Sequence, residues 1–343
     1  MFVDDREETV RLGDLPRTGK VLRAASPALR ALLRLCASSP VDRDELAERT
    51  PAPAEEVDQA ITALLEARVL VEEHDVEALT RDERSSRQAL FFSMFQPAAR
   101  AAEMTASLSE RTVVILGVGG IGSSVATQLA TAGVGTLRLV DRDHVEASNL
   151  HRQYLYSTAD VGMPKVDTAA RRLAERCPSL RVEARDRTLA GARDVTEVVA
   201  GADLVVATAD SPQPDIRRWV NAGCLAAGVA FLPGGFTQHL GIAGPLVVPG
   251  ESACLACLDE QLRAGNGGHE LPAVENRDRR VPAFGPLCAI VAGLLAAEAI
   301  RFLTGVVPPA LLNRMSYFDL LGMETSEQPV ARSATCPACG AAS

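Results

Sequence analysis

The sequence predicts an α/β fold in which a doubly wound, mostly parallel Rossmann-like sheet follows a small N-terminal winged-helix domain. Two observations carry this prediction. From Thr112 onward, a pattern of strand, Gly-rich turn, helix and strand repeats, as in parallel sheets whose faces are covered by helices. Residues 1–80 lack that pattern and contain short amphipathic segments instead. The 343 residues are enough for about two domains.

The composition is that of an ordinary soluble globular protein. Its residues are 47% apolar and 23% charged, with a formal net charge of −9, which excludes a disordered or collagen-like chain and disfavours nucleic acid as a partner. The acidic N-terminus has no signal-peptide pattern. The apolar stretch Phe284–Ala297 is shorter than the roughly 20 residues that cross a bilayer. We therefore expect a cytoplasmic protein without a membrane partner.

The N-terminal domain is predicted to contain a strand, three helices and a second strand. The first strand is ETVRLGDL, and the first two helices are SPALRALLRLCA and DRDELAERT. The third helix runs from Pro53 to Leu70 and carries an apolar stripe formed by Val57, Ile61, Leu64 and Leu65. The extended segment VLVEE closes the pattern, and this order is typical of a winged helix.

Winged helices often bind DNA, but the charge of this one opposes that function. Residues 1–80 contain 10 Lys and Arg against 17 Asp and Glu, a net charge of −7. A helix with that balance would be repelled by DNA phosphates. We therefore expect a protein or peptide partner, bound along an exposed strand edge. A helical cap that only stabilises a dimer is the alternative.

Residues 81–110 read as a helical connector with two arginines, Arg84 and Arg87, near its start. The predicted domains are therefore 1–80 for recognition of a partner, 81–110 for the connector, and 111–343 for nucleotide binding.

A nucleotide site is predicted at the first strand of the large domain. The run TVVILGVGGIG places three glycines in G-x-G-x-x-G spacing between an apolar strand and a helix, namely Gly117, Gly119 and Gly122. Glycines here allow a tight turn and close approach of phosphates, and the helix N-terminus attracts negative charge. The next strand ends in Asp141, where a carboxylate accepts hydrogen bonds from ribose hydroxyls.

These features fit NAD as well as ATP, so the residues that follow must discriminate. Polar side chains and cations suited to phosphates follow Asp141, namely Asn149, Arg152, Gln153 and Lys165. Nucleotidyl transfer needs such cations because charge builds on the phosphoryl oxygens, whereas hydride transfer does not. Asp210 follows another strand and is a candidate Mg²⁺ ligand. A dinucleotide-dependent oxidoreductase and a catalytically inactive binding protein remain alternatives.

Four of the eight cysteines form two Cys-x-x-Cys pairs, Cys254 with Cys257 and Cys336 with Cys339. Four thiolates in this arrangement are typical of a closed tetrahedral Zn²⁺ site, which is structural rather than catalytic. Two disulfides or four unrelated thiols are the alternatives. A zinc ion would tie the polar C-terminal segment to the domain.

These segments together resemble the ThiF/MoeB/HesA family of ubiquitin-activating-enzyme-like adenylyltransferases. The resemblance runs from about Arg84 to Cys339 and includes the block Gly117–Ala169, the segment VATADSP and both Cys-x-x-Cys pairs. The segment RSSRQ also matches the family's Arg-x-x-Arg-Gln.

The resemblance implies ATP, Mg²⁺ and Zn²⁺ as cofactors, and it implies a role for each matching residue. The nucleotide would be surrounded by Gly117, Gly119, Gly120, Gly122, Asp141 and Asp143. Phosphates would be contacted by Asn149, Arg152, Gln153 and Lys165, with Asp210 on Mg²⁺. In this family an arginine of the partner subunit reaches the ATP phosphates. That role falls to Arg87, with Arg84 beside it, so a homodimer is expected.

The implied chemistry is attack of a substrate carboxylate on the α-phosphorus of ATP, giving an acyl adenylate and pyrophosphate. A C-terminal carboxylate with a pKa of about 3.5 is ionised at neutral pH, so no general base is needed. His151 and His239 are therefore expected to be structural.

Some relatives also use a cysteine located after the first Cys-x-x-Cys, but no cysteine occurs between Leu258 and Leu287. Three other cysteines lie in apolar helical contexts, where burial makes thiols unreactive, namely Cys177, Cys224 and Cys288. Adenylation without an enzyme thioester is expected, although the sequence leaves the reactivity of these three and of Cys36 open.

Two substrates compete. One is a ubiquitin-fold sulfur carrier of the ThiS or MoaD kind. The other is a ribosomally made precursor peptide, because residues 1–80, which carrier activators lack, resemble the recognition element of peptide-modifying enzymes such as the microcin-maturing adenylyltransferases. The peptide is favoured.

Overall fold

A computed structural model describes residues 2–4, 9–12, 20–212, 214–265 and 282–340. The chain divides into two compact units, residues 1–103 and 104–343. The domain boundaries given above stay predictions.

The first unit combines a small antiparallel sheet with short helices. The sheet has the order β1 (Phe2–Asp4), β2 (Thr9–Leu12) and β3 (Lys20–Leu22). The helices are α1 (Pro27–Ser38), α2 (Arg43–Arg49), α3 (Ala54–Glu66), α4 (Glu73–Thr80) and α5 (Ser86–Ser93), followed by α6 (Ala98–Ser107), which crosses the boundary between the units.

The apolar stripe of α3 packs as its spacing predicts. Val57, Ile61 and Leu64 are buried with Leu32 and Leu33 of α1 in one core. The sheet joins this core through the buried Val10.

One predicted strand of this unit is wrong. VLVEE forms no strand: its last residue opens α4, whose first turn contains Glu73 and Asp75. Acidic residues stabilise a helix N-terminus through its dipole. Val69 and Leu70 pack against the core of this unit while Val71 is exposed, so the segment buries its apolar residues without pairing as a strand. The antiparallel sheet is instead formed by residues that precede the helices.

The second unit contains an eight-stranded sheet covered by helices. Its strand order is β11-β10-β9-β8-β7-β4-β5-β6. The strands are β4 (Thr112–Leu116), β5 (Thr136–Asp141), β6 (Arg181–Asp186), β7 (Leu204–Ala207), β8 (Phe231–Thr237), β9 (Leu240–Ala243), β10 (Arg314–Asp319) and β11 (Glu324–Pro329). The helices are α7 (Gly120–Ala132), α8 (Lys165–Arg176), α9 (Ala192–Val199), α10 (Asp215–Ala227), α11 (Leu255–Gly265) and α12 (Gly285–Thr304).

The central strands are parallel and the distal ones antiparallel. Strands β4 to β8 pair in parallel, whereas β8, β9, β10 and β11 pair as successive antiparallel neighbours. The mostly parallel α/β fold predicted from the sequence is thereby confirmed.

Helix α12 is long and apolar enough to cross a membrane by length and composition, but half of its apolar 18-residue stretch is buried inside the protein. It packs on the sheet because two glycines leave room for it: a Cβ at Gly234 would lie 2.5 Å from Leu295, and one at Gly241 would lie 2.6 Å from Val291. The predicted apolar stretch is therefore a core helix.

Asp160 anchors the segment between β5 and α8, which carries most of the predicted phosphate contacts. Its buried carboxylate accepts hydrogen bonds from the backbone N–H and hydroxyl of Ser157 and from the guanidinium groups of Arg171 and Arg172, at 2.6–2.9 Å. Burial opposes ionisation of this carboxyl, yet the hydrogen bonds from Ser157 and Arg172 hold its pKa below the ordinary value. The carboxylate therefore ties the segment to α8.

Replacing Asp160 by Asn should lower the free energy of unfolding by about 2 kcal/mol at neutral pH, because two guanidinium groups lose their charged acceptor. Since the folded-state pKa lies below the unfolded value, this stabilisation is complete above about pH 4 and disappears as the pH falls through the folded-state pKa. Urea unfolding at about pH 7 and pH 3 measures both effects. A difference of equal size at both values would contradict this assignment.

Candidate active site

The Gly-rich turn between β4 and α7 has no room for side chains. Gly117 has φ +86°, and a Cβ there would lie 2.8 Å from the backbone of Ala209. A Cβ at Gly122 would lie 1.9 Å from the carbonyl oxygen of Gly117, so only glycine allows α7 to begin this close to the turn. Backbone N–H groups at such a helix start bind phosphates.

Asp141 fixes the shape of this turn. One carboxylate oxygen accepts a hydrogen bond from the N–H of Val118 at 2.8 Å, and the other accepts one from the N–H of Asp143 at 2.9 Å. The hydroxyl of Tyr156 donates to the carbonyl of Val118 at 2.9 Å. Each carboxylate oxygen of Asp141 keeps further lone pairs for a ligand.

The segment between β5 and α8 forms a loop whose two ends are joined by a β-bridge, and it contributes polar side chains to the cavity. His144 and Pro164 form a bridge, and the buried Asn149 accepts a hydrogen bond from the N–H of Glu146 at 3.2 Å. Arg152 donates to the carbonyl of Ser148 at 3.0 Å.

Gln153 is buried, and its side-chain oxygen has no hydrogen-bond partner among the described residues. Its amide nitrogen lies 3.8 Å from the position of a Cβ on Gly119, which places the side chain beside the Gly-rich turn.

Lys165 is paired inside this site. Its buried ammonium donates to the carboxylate of Asp143 at 3.0 Å. Burial raises the pKa of Asp210, as do the negative charges of Asp143 and Asp141, whereas Lys165 lowers it. One ammonium and three carboxylates, those of Asp141, Asp143 and Asp210, therefore line the same cavity, and the excess of negative charge among these four groups favours the binding of a divalent cation.

These groups line one cavity of about 620 Å³, within the usual range for ligand sites. Ten predicted residues line it: Gly117, Gly119, Gly120, Asp141, Asp143, Asn149, Arg152, Gln153, Lys165 and Asp210. Gly122 is not among the lining residues; it packs against the carbonyl group of Gly117 in the Gly-rich turn. All described residues that line the cavity belong to the second unit, whereas Arg84 and Arg87 belong to the first.

The structure adds lining residues that the sequence did not single out. They are mainly apolar or cationic and include Arg142, Arg187, Leu189, Ile216, Trp219 and Phe236. Arg187 follows β6 and Phe236 lies near the end of β8. The general rule that ligands bind at the carboxyl ends of parallel strands was the signal available for finding them.

The cavity lining combines two kinds of group. Leu189, Ile216 and Trp219 contribute apolar walls, while Arg152 and the Gly-rich turn contribute positive charge and backbone N–H groups. A ligand with a flat apolar group and an anionic tail fits this polarity, as a nucleoside triphosphate does.

The four predicted zinc ligands come together as one cluster. Their sulfur atoms lie within 4.8 Å of one another, with distances of 4.0 Å for Cys254–Cys257, 3.7 Å for Cys254–Cys336 and 3.5 Å for Cys257–Cys339. A zinc ion bonded at about 2.3 Å would separate tetrahedral sulfurs by about 3.8 Å. The cluster therefore fits one Zn²⁺, and it joins α11 to the C-terminal segment.

No second cluster of three or more such ligands occurs in the part of the chain that the structure describes. Asp210 lines the cavity with Asp141, Asp143 and Glu146, but no three of these carboxylates lie close enough together to form such a cluster. This fits Mg²⁺, which proteins usually bind through one or two carboxylates together with substrate phosphates.

The structural roles of the two histidines stay predictions, and their contacts among the described residues are few. His151 lies within hydrogen-bond distance of the carbonyls of Ser148 and Ala283, and His239 lies 3.8 Å from Asp319. Among the other cysteines, Cys177 and Cys224 are buried, and burial raises the pKa of Cys224 to about 12. Cys288 is buried too, although it lines the cavity.

The fold and the cavity are those of a nucleotide-binding α/β protein that also carries a separate cluster of four cysteines suited to a metal ion. The family model described as "ThiF family" matches residues 86–338. The sulfur carrier protein ThiS adenylyltransferase of Escherichia coli K12 is 33% identical over 238 residues, covering 68% of this chain and 87% of that protein. The molybdopterin-synthase adenylyltransferase of the same strain is 32% identical over 234 residues, covering 68% and 89%. The chain belongs to the ThiF family and is an ATP-dependent adenylyltransferase.

Solved structures of E. coli MccB match over a larger share of the chain. The complex with AMPCPP and MccA has a TM-score of 0.77 and 28% identity, covering 90% of this chain and 88% of that one. The complex with ATP has a TM-score of 0.76 and 27% identity, with the same coverage. The resemblance, the adenylyltransferase activity and ATP as the nucleotide are confirmed, and the oxidoreductase alternative receives no support.

Proposed function

We propose that this enzyme activates the C-terminal carboxylate of a precursor peptide as an acyl adenylate. A carboxylate oxygen bonds to the α-phosphorus of ATP, the bond from that phosphorus to the bridging oxygen breaks, and pyrophosphate leaves with the electron pair. The carboxylate is already ionised, so the protein's contribution is orientation and charge stabilisation.

Each side chain has a role that its position supports. The Gly-rich turn, including Gly119 and Gly120, would hold phosphate oxygens through backbone N–H groups. Asp141 would accept from the ribose, and Arg152 and Lys165 would offset charge on the phosphoryl oxygens. Asn149 and Gln153 would position the same phosphates.

Asp210, with Asp143 nearby, would hold Mg²⁺, which supplies further charge neutralisation when bound. Cys254, Cys257, Cys336 and Cys339 would hold Zn²⁺ away from the chemistry.

The choice of a peptide depends on one observation: coverage. The sequence match to the carrier-activating relatives spans 68% of this chain but 87% and 89% of those proteins, so little of them is left to correspond to the N-terminal unit. The structural match to MccB with MccA spans 90% of this chain and therefore includes most of that unit. In that unit β1 and β3 are the two edge strands, and an extended peptide can pair with such an edge. A ubiquitin-fold sulfur carrier is the second candidate, supported by the named activities of the relatives.

A homodimer would complete the phosphate site with Arg87 of the partner subunit. Arg87, Phe91, Met94 and Phe95 follow the spacing i, i+4, i+7, i+8 and are all exposed. The rings of Phe91 and Phe95 pack edge to face at 5.3 Å, while Ala89 and Phe92 face the core. Such an apolar stripe around an arginine suits a second copy of the chain. Cytoplasmic location is part of this proposal.

ATP–pyrophosphate exchange tests the proposed function. Purified enzyme with MgATP should exchange labelled pyrophosphate only when a peptide with a free C-terminal carboxylate is added, because the reverse reaction requires the acyl adenylate. The same peptide amidated at its C-terminus is the matched control. A ThiS-like carrier serves as the competing substrate. Exchange with the carrier but not with the peptide would show that the carrier is the substrate. No exchange with either would indicate a catalytically inactive binding protein.

A further inference from the structure

The two most exposed large apolar side chains among the described residues lie close together in one turn. Leu321 is 76% and Met323 is 67% exposed, and both belong to the turn between β10 and β11. Single exposed apolar residues are common, but the location and conformation of this pair set it apart.

Strand directions place this turn at the catalytic edge of the sheet. β8 runs parallel to β7 and β4, so its carboxyl end lies beside the nucleotide cavity, and Phe236 lines that cavity. The β8–β9 turn is at the same edge. Because β10 is antiparallel to β9 and pairs Asp319 with Leu240, the β10–β11 turn is at this edge as well.

The two turns are joined into one structure, which we call the hairpin ledge (residues 238–239 and 320–323). The N–H of Leu320 donates to the carbonyl of His239 at 3.0 Å, and the N–H of Leu321 donates to the carboxylate of Asp319 at 2.8 Å. The ledge is therefore held by hydrogen bonds while its apolar side chains point away from the core.

Each turn of the ledge also contains a residue in a left-handed conformation: Gln238 has φ +51° and Met323 has φ +52°. Side chains other than glycine seldom adopt this region, and a bulky one does so at a free-energy cost that is common at ligand-contacting sites. The exposed position of Met323 is thus held at some cost in stability.

A continuous row of residues connects the ledge with the cavity. Phe236 pairs with Gly241, and Gly241 pairs with Phe318 on β10, two residues before the ledge. Strands are spaced by about 4.8 Å, so β10 lies roughly 10 Å from Phe236. An extended chain rises about 3.3 Å per residue and covers this distance with about three residues.

From these observations we infer that the hairpin ledge binds the C-terminal segment of the substrate, with Leu321 and Met323 contacting an apolar side chain about three to six residues before the activated carboxylate. The inference rests on the proposed function, since it concerns the chain that carries this carboxylate. The C-terminal segment of the substrate must be extended, because it has to pass from the ledge into a cavity that ATP already largely fills.

The test uses a pool of randomised synthetic heptapeptides with free C-terminal carboxylates, MgATP and hydroxylamine. Hydroxylamine attacks the acyl carbon and releases AMP, leaving a peptide hydroxamate for mass spectrometry. Wild-type enzyme should enrich hydroxamates with large apolar residues at the inferred positions. The double variant Leu321→Ser/Met323→Ser should lose this enrichment and raise KM for the enriched peptide about tenfold, with kcat and KM for ATP within about twofold.

Leu312→Ser is the matched control, because Leu312 is an exposed apolar residue near the opposite end of β10. It should leave both enrichment and KM unchanged. If the double variant keeps the wild-type enrichment and KM, the ledge inference is overturned alone. If it instead changes the oligomeric mass with an unchanged KM, the ledge is an interface between copies and the inference is again overturned. If wild-type enzyme forms no hydroxamate from the peptides, the proposed function fails as well.

Discussion

Replacing Arg152 by Ala should lower kcat for substrate-dependent ATP–pyrophosphate exchange by about 10²–10³-fold, and Lys165→Ala should have an effect of similar size. Both side chains line the nucleotide cavity. In the reaction, negative charge develops on the oxygens of the transferred phosphoryl group. A positioned cation lowers the free energy of this transition state by more in the cavity than it would in bulk water. The loss should therefore appear mainly in kcat, with a smaller change in KM for ATP.

The structure supplies a control for this experiment. Arg193 lies on α9 with its side chain 94% exposed and does not line the cavity, so Arg193→Ala should leave exchange unchanged. Thermal unfolding should show that the Arg152 and Lys165 variants remain folded, since Asp143, the partner of Lys165, has a side chain that is 57% exposed and can be solvated. Exchange that survives in both variants would refute the phosphate-site assignment.

The Arg152→Ala variant also tests whether Arg87 acts on the active site of the partner subunit. If Arg87 acts across a dimer, Arg87→Ala should also be impaired, and mixing it with Arg152→Ala should restore activity. After subunit exchange, half of the dimers contain one copy of each variant, and one of their two sites has both arginines. About a quarter of the wild-type activity should return. If Arg87 acts within its own chain, every site in the mixture lacks one arginine and no activity should return.

The cavity that we propose binds the nucleotide could be located from the sequence, because nucleotide binding requires local sequence patterns. The spacing of Gly117, Gly119 and Gly122 follows from backbone contacts within one turn, and Asp141 occurs at the end of the adjacent strand. Parallel pairing of β4 and β5 then brings these residues together. Likewise, two Cys-x-x-Cys pairs imply a single metal cluster even though 78 residues separate Cys257 from Cys336.

Other features depend on tertiary contacts that no local pattern reports. Trp219 lines the cavity only because α10 begins beside the carboxyl end of β7, and Phe236 does so because β8 is the next strand of the sheet. The error at VLVEE has a similar cause, since alternation over so few residues does not determine whether a neighbouring strand exists. The hairpin ledge follows from the antiparallel order of β8 to β11, which composition alone does not predict.

Cys336→Ser should cause the largest loss of stability of any single change considered. A structural zinc site contributes its binding free energy to folding, and all four cysteine ligands lie in the core that includes Leu255, Leu258 and Val330. The zinc content should fall from one ion per chain to less than about a tenth, and the apparent Tm should fall by about 10 °C, which corresponds to roughly 3–5 kcal/mol for a domain of this size. Metal analysis and calorimetry under reducing conditions measure both.

Cys224→Ala is the matched control, since Cys224 is as buried as the ligands but lies outside the cluster. It should retain one zinc ion per chain and lose only the smaller stability of a trimmed core side chain. A chelator should lower the Tm of the wild type and leave that of Cys336→Ser unchanged, whereas a reductant should affect neither, which separates zinc from disulfides. The effect should reach the active site through α11, because Asp259 of α11 pairs with Arg217 of α10 at 2.5 Å, and α10 carries Ile216 and Trp219, which line the cavity. Loss of zinc should therefore raise KM for ATP more than it lowers kcat, and an unchanged KM at a temperature where the variant is folded would contradict that coupling.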